Sequence, residues 1–87
     1  MSENKNSLAK KTFILALESH RKNDLQSAIN LYNEVLKIDS SYAEVHYNLG
    51  IIYSTLGDYQ RAKDCYEKVI LIDHNYLNAY FNLGVVT

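Results

Sequence analysis

The sequence predicts an all-α protein made of stacked, antiparallel helix-turn-helix units. Three observations indicate this: apolar residues recur at three- and four-residue intervals, helix-capping residues separate the apolar segments, and the sequence repeats every 34 residues. Shifting residues 9–42 onto residues 43–76 aligns ten identical positions. Because such units bury their apolar faces only against neighbouring units, we expect one continuous array over residues 7–87.

The first repeat, residues 9–42, follows a polar leader, residues 1–6, that we expect to be disordered. Its first helix should run from Leu8 to about Arg21, with one apolar stripe. That stripe consists of Leu8, Thr12, Leu15, Ala16 and Ser19. Asn23 and Asp24 should end this helix and cap the next one, because asparagine tolerates the left-handed conformation and aspartate supplies a capping oxygen. The second helix should run over residues 25–38, and its predicted buried residues are Leu25, Ala28, Ile29, Tyr32, Val35, Leu36 and Ile38.

The second repeat, residues 43–76, uses the same stop signals. Ser41 and Glu44 form a capping box, which predicts a third helix from about residue 42 to residue 56. Gly57 should then end this helix and Asp58 should cap the fourth helix, as Asn23 and Asp24 do in the first repeat. The fourth helix should run over residues 59–72. Asn75 should cap a fifth helix from residue 76, the first helix of a partial third repeat, residues 77–87.

The bulk composition limits the class of the protein. Its 87 residues, 47% apolar and 22% charged, suit one small globular domain, and no apolar run is long enough to span a membrane. The polar start MSENKNS is unlike a secretory signal, and the single Cys65 cannot form an internal disulfide, so we expect a cytoplasmic location. A net charge of −1 gives no general attraction to nucleic acid.

The repeat resembles the tetratricopeptide repeat, and the resemblance extends over residues 9–87. The second copy carries it with His46, Leu49, Gly50, Tyr53, Ala62, Tyr66 and His74 at the family's spacing, although histidine stands at the usual tryptophan and proline places. The resemblance implies a right-handed superhelical solenoid of two full repeats plus the first helix of a third. The first repeat departs further from the pattern, since Ser19 stands where Tyr53 stands one repeat later.

The resemblance also implies a concave groove, lined by the first helix of each repeat, that binds an extended peptide. The residues expected to contact the peptide are Phe13, Leu17, Tyr47, Asn48, Ile51, Asn78, Phe81 and Asn82. Asn48 and Asn82 lie 34 residues apart and resemble the asparagine ladder of O-linked N-acetylglucosamine transferases, where a primary amide pairs with the peptide backbone. The alternative is that the aromatic positions pack between helices and that the asparagines are only consensus residues.

Other kinds of site have little support in the sequence. No acid–base pair, activated nucleophile or phosphate-binding glycine loop is present, so we expect neither catalysis nor a cofactor. The three histidines lack metal-ligand spacing, and Cys65 is expected to be a passive residue of a second helix. A clamp for the carboxylate tail of chaperones is also excluded, since only Asn48 matches the lysine, asparagine and arginine that such repeats use.

Three functions agree with this sequence. The first is a protein-interaction scaffold that binds a protein or peptide partner in its groove. The second is a targeting segment of a larger enzyme, such as a glycosyltransferase, because the apolar end of the sequence indicates a fragment of a longer repeat array rather than a capped module. The third is a structural element that associates with itself through its C-terminal helix.

Overall fold

Five α-helices account for almost all of residues 4–86, the part of the chain that the computed structural model describes. They are α1 (Lys5–Arg21), α2 (Leu25–Ile38), α3 (Ala43–Thr55), α4 (Tyr59–Ile72) and α5 (Leu77–Val86). The chain divides after Tyr42 into two units. In the first unit α1 packs against α2, and in the second α4 packs against both α3 and α5. The all-α helical repeat fold is therefore confirmed.

The predicted turns between paired helices are confirmed. Asn23 has φ 64° and Gly57 has φ 81°, the left-handed conformation that ends α1 and α3. The following aspartates then cap the next helices: the carboxylate of Asp24 accepts a hydrogen bond from the Ser27 amide, and that of Asp58 accepts one from the Arg61 amide.

Three helix starts differ from the prediction. The α1 helix begins at Lys5 because the Asn4 side chain accepts a hydrogen bond from the Ser7 amide (2.8 Å), so part of the expected leader is helical, while residues 1–3 lie outside the described residues. The α3 and α5 helices each begin one residue late. Asp39 and Asp73 accept hydrogen bonds from the amides two residues on, and these turns delay the helices that Ser41 and Asn75 were expected to cap.

The buried face of α1 also differs from the predicted stripe. Ala9, Phe13 and Ala16 are its buried residues, whereas Leu8 and Leu15 are exposed. The Phe13 ring, against Tyr32 of α2, fills the space between the two helices. The predicted stripe therefore included the buried Ala16 but missed Ala9 and Phe13.

The core of the second unit depends on one close approach between α3 and α4. A Cβ atom built on Gly50 would lie only 2.5 Å from the ring of Tyr66, which is itself 2% exposed. Ala62 and Val69 complete the buried face of α4, and Ala79 of α5 is fully buried. No helix within residues 4–86 is long and apolar enough to cross a membrane.

Candidate functional site

An aromatic side chain on the first helix of each unit lies between two tyrosines. Phe13 packs near Tyr32 (centroid distance 6.1 Å) and stacks on Tyr42 (5.0 Å). One repeat later, Tyr47 packs near the equivalent Tyr66 (5.9 Å) and Tyr76 (5.1 Å). Each of these pairs recurs after 34 residues, so the sequence period is the signal by which the contacts of Tyr42 and Tyr76 can be found.

The structure places the predicted site residues in three classes of exposure. Phe13 is buried in the first unit, where its packing role accounts for its position. Exposed residues are Leu17, Asn78 and Phe81, and half-buried residues are Tyr47, Asn48, Ile51 and Asn82. Within the second unit, Tyr47 and Ile51 of α3 are brought close to Asn82 of α5. This group is the structural basis of the candidate site.

A hydrogen bond joins α3 to α5 at the centre of this group. The Asn82 amide nitrogen donates to the Tyr47 hydroxyl at 3.0 Å, and the pair is partly buried. One N–H of Asn82 is therefore used within the protein, while its carbonyl oxygen is not used in this bond. Asn82 thus helps to fix the distance between the two helices that line the site.

A partly open cavity of about 220 Å³ lies beside this hydrogen bond. Ile51, Ser54 and Thr55 of α3, Tyr66 of α4, and Asn82 and Val85 of α5 line it. Its walls are thus aliphatic on both helices, with hydroxyl and amide groups among them. The Thr55 hydroxyl donates to the Ile51 carbonyl oxygen at 3.0 Å, so it is already engaged within α3.

A buried hydroxyl group, that of Ser54, lies beside the Tyr66 hydroxyl. Ser54 Oγ is buried and, within residues 4–86, makes no hydrogen bond of acceptable geometry. It nevertheless lies close enough to the Tyr66 hydroxyl to oppose the rise in that group's pKa. Because this oxygen is buried, a molecule in the cavity does not reach it.

The first unit has a histidine where the second has Ser54. His20 Nδ1 lies 3.2 Å from the Tyr32 hydroxyl, and both residues are the 34-residue counterparts of Ser54 and Tyr66. Serine is too short to fill the volume of an imidazole, so this difference helps to explain why there is room beside Tyr66. The exchange of histidine for serine between the repeats is the sequence signal of this difference.

The electrostatic environment of the cavity is neutral. Burial is the main cause that raises the pKa of Tyr66, while the nearby Ser54 and Asn82 oppose it, so the phenol stays protonated at neutral pH. Cys65 of α4 is not among the residues that line the cavity. Burial raises the pKa of its thiol to about 11, which makes it a poor nucleophile. No cluster of three or more metal-ligating side chains occurs within residues 4–86.

Comparison with protein families supports the tetratricopeptide repeat. A tetratricopeptide repeat model matches residues 43–76, and a second TPR repeat model matches residues 17–57. The first match has the same bounds as the second repeat defined from the internal period. The comparison with curated proteins gave no match.

Several solved structures are similar in fold. The crystal structure of MamA matches 90% of this chain at 28% identity and a TM-score of 0.87, and the chain spans 46% of MamA. The Thermobaculum terrenum O-GlcNAc transferase mutant K341M matches 99% of the chain at 23% identity and TM-score 0.89, over 16% of that protein. The TPR2B domain of yeast Sti1, in complex with pHsp70, matches 90% at 23% identity and TM-score 0.83, over 62% of that domain. This chain thus spans less than half of MamA.

Proposed function

We propose that this chain, whose residues 17–76 match tetratricopeptide repeat models, is a protein-interaction scaffold that binds an extended peptide along the face shared by α3 and α5. The repeat assignment supports a scaffold, and the Sti1 domain of similar fold is in complex with pHsp70. For this chain, the ligand-contacting residues are proposed to be Tyr47, Ile51 and Asn82, with Asn48 and Phe81 beside them.

The observation that carries this proposal is the Tyr47–Asn82 hydrogen bond with the open cavity next to it. The bond holds α3 and α5 in place before a ligand arrives, which lowers the entropy lost on binding. The carbonyl oxygen of Asn82 then accepts from a peptide N–H, while Ile51 and Val85 offer aliphatic surface to a side chain. If Asn82 also donates to the peptide backbone, it must use the N–H that it does not donate to Tyr47.

The test is selection from a random peptide library, followed by affinity measurement on the enriched peptides. The double change Asn48→Ala and Asn82→Ala should weaken binding by about 1 to 2 kcal/mol, since each amide gives up a hydrogen bond to the peptide backbone. Asn30→Ala together with Asn33→Ala is the matched control, because both asparagines are exposed on α2, and it should leave affinity unchanged. Unchanged affinity in the first double variant, with the fold retained, would show that the ladder residues do not bind the peptide.

A second candidate function, self-association, is favoured by the surface of α5. Its sequence LNAYFNLGVV has no charged side chain, and exposed residues at positions 77, 80, 81, 84 and 85 form one stripe at helical spacing. Leu77, Phe81 and Val85 are each at least 70% exposed. An apolar stripe of this kind marks an interaction surface, and we propose a second copy of the chain as its occupant.

The close approach inside the second unit indicates how two copies would pair. In that unit the Tyr66 ring of α4 packs directly against Gly50 of the antiparallel helix α3. At its counterpart Gly84, no heavy atom of residues 4–86 lies within 4 Å of an added Cβ, and Tyr80 lies one helical turn away. Two α5 helices packed antiparallel would therefore place each Tyr80 over the Gly84 of the other copy, as a two-fold symmetric interface requires.

Sedimentation velocity over a range of protein concentrations tests this pairing. The wild type should sediment faster as concentration rises, and Tyr80→Glu should remain monomeric because it buries a charge in the interface. Leu71→Glu, at an 83% exposed position on α4, is the control and should associate like the wild type. A wild type that stays monomeric at every concentration would refute the paired α5 helices.

A further inference from the structure

We infer that one exposed face of α1 binds a peptide segment that carries two acidic side chains with apolar side chains between them. This inference rests on the proposed scaffold function and adds a second contact surface, with a charge rule, to it. The surface, called the α1 face below, consists of Lys10, Ile14, Leu17 and Arg21. Because these residues follow one another at four- and three-residue intervals, they lie within an arc of about 60° on the helix.

All four side chains of the α1 face are open to solvent. Ile14 is 55% exposed and Leu17 is 40% exposed, although both are large aliphatic residues. Lys10 is exposed, and the Arg21 side chain is 76% exposed. The α1 face therefore has an apolar centre with a cation at each end, and a ligand can reach every part of it.

The basic charge of the chain is concentrated on this helix. The α1 helix and Lys22, its C-cap, carry five of the nine lysine and arginine residues of the chain but only one of its ten acidic residues. A surface of one charge sign attracts partners of the opposite sign and disfavours partners of the same sign. The segment that fits the α1 face is therefore acidic.

The repeat itself does not require these two cations. In the second repeat the counterpart of Lys10 is Glu44 and that of Arg21 is Thr55, and both counterparts are exposed. Arg21, in the last turn of α1, also stabilises the C-terminal end of the helix, but Lys10 lies too far from that end to do so. The difference between the repeats thus favours a binding role for the cations over a role in the fold.

The spacing of the two cations determines the spacing of the acidic side chains. Lys10 and Arg21 are eleven residues apart. On a helix this separation is about 16 Å along the axis. An extended peptide rises about 3.3 Å per residue, so acidic side chains about five residues apart match the two cations. Apolar side chains between the acids then lie over Ile14 and Leu17, a contact that a nucleic-acid backbone does not offer.

Glu18 is expected to weaken the binding of an acidic peptide. Its carboxylate pairs with the Arg21 guanidinium across one turn of α1. The guanidinium has further N–H donors, so Arg21 can bind a second carboxylate, but the two carboxylates then repel each other. Glu18→Gln should therefore strengthen the binding of an acidic peptide about two- to threefold, the usual size of an effect between exposed charges.

The experiment is an NMR titration of the ¹⁵N-labelled full chain with the blocked peptide acetyl-DGLGLD-amide, which has no terminal carboxylate. Shifts should appear at the backbone amides of the α1 face. The neutral analogue acetyl-NGLGLN-amide should bind about three- to tenfold more weakly, because it lacks two exposed ion pairs. Raising the salt concentration should weaken the acidic peptide more than the neutral one.

A charge reversal provides the sharper comparison. The double change Lys10→Glu and Arg21→Glu should reverse the preference, so that acetyl-KGLGLK-amide binds more tightly than acetyl-DGLGLD-amide. Lys37→Glu together with Lys68→Glu is the matched control, because it makes the same change in net charge at exposed positions of α2 and α4. This control should keep the wild-type preference for the acidic peptide.

Equal binding of the acidic and neutral peptides, no reversal in the folded double variant, or equal shifts with oligothymidylate would each overturn the inference. If the double variant loses its helical circular dichroism signal, the two peptides on the wild type and Glu18→Gln still decide it. An enriched library peptide that shifts Tyr47 and Asn82, while the α1 face shows no preference for acid, would overturn this inference alone. Binding of acetyl-DGLGLD-amide to the α1 face, with no library peptide that shifts α3 or α5, would count against the proposed site alone.

Discussion

Replacing Tyr66 with alanine is expected to lower the free energy of unfolding by about 3 to 5 kcal/mol, the usual cost of deleting a buried aromatic ring. The ring is 2% exposed, contacts Tyr47, and lies against Gly50. A domain of this size has a total stability of only about 5 to 10 kcal/mol, so the second unit should lose much of its structure at 37 °C.

Urea denaturation followed by far-ultraviolet circular dichroism measures this effect. Tyr59→Ala is the matched control, because Tyr59 lies on the same helix but is 57% exposed, and it should change the free energy of unfolding by no more than about 0.5 kcal/mol. Similar effects of the two substitutions would mean that Tyr66 is not the centre of the second unit's core.

Replacing Gly50 with leucine should destabilise the protein by about 3 kcal/mol, the upper end of the range for overpacking. The added Cβ alone would lie within 3 Å of three atoms of the Tyr66 ring, and that buried ring has little room to move. Alanine should cost less than leucine, because Ala16 occupies the equivalent place in the first unit and is fully buried there. Small residues at this place thus set how closely the paired helices approach.

The matched control is Gly84→Leu, one period later on α5. In the part of the chain that the structure describes, no heavy atom lies within 4 Å of a Cβ added there, and leucine is a better helix former than glycine by up to about 1 kcal/mol. In dilute protein, Gly84→Leu should therefore be neutral or stabilising. Equal losses of stability at the two glycines would show that the contact with Tyr66 is not what restricts Gly50.

The period and the turn chemistry of the sequence were enough to predict the fold. Asn23 and Gly57 were predicted to end helices, and both have the left-handed conformation that this requires. The starts of α3 and α5 were missed by one residue because Asp39 and Asp73 form competing local hydrogen bonds. Such competition depends on backbone geometry that a capping pattern alone does not specify.

The buried face of α1 could not be read from hydrophobicity alone. Leu15 has the same place in its repeat as Leu49, yet Leu15 is 58% exposed while Leu49 is 3% exposed. Identical residues at equivalent places therefore differ in burial, because burial depends on what surrounds each unit. Lys11 and Glu18, which flank Leu15 at helical spacing, were a sign that this face of α1 is polar.

The candidate site was only partly accessible to sequence reasoning. The resemblance indicated Tyr47, Asn48, Ile51 and Asn82, and the structure brings three of these together in the second unit. The bond between Asn82 and Tyr47 and the cavity beside Ser54 depend on side-chain distances across helices. Those distances follow from packing, which the repeat pattern constrains but does not determine.

The most direct test of peptide binding along α3 and α5 is to map a bound peptide on the protein by NMR. With a peptide enriched from the random library, chemical-shift changes should concentrate at Tyr47, Ile51 and Asn82. Residues on the exposed face of α4, such as Glu67 and Leu71, should shift little. Changes centred on α4, with none at Tyr47 or Asn82, would contradict the proposed function.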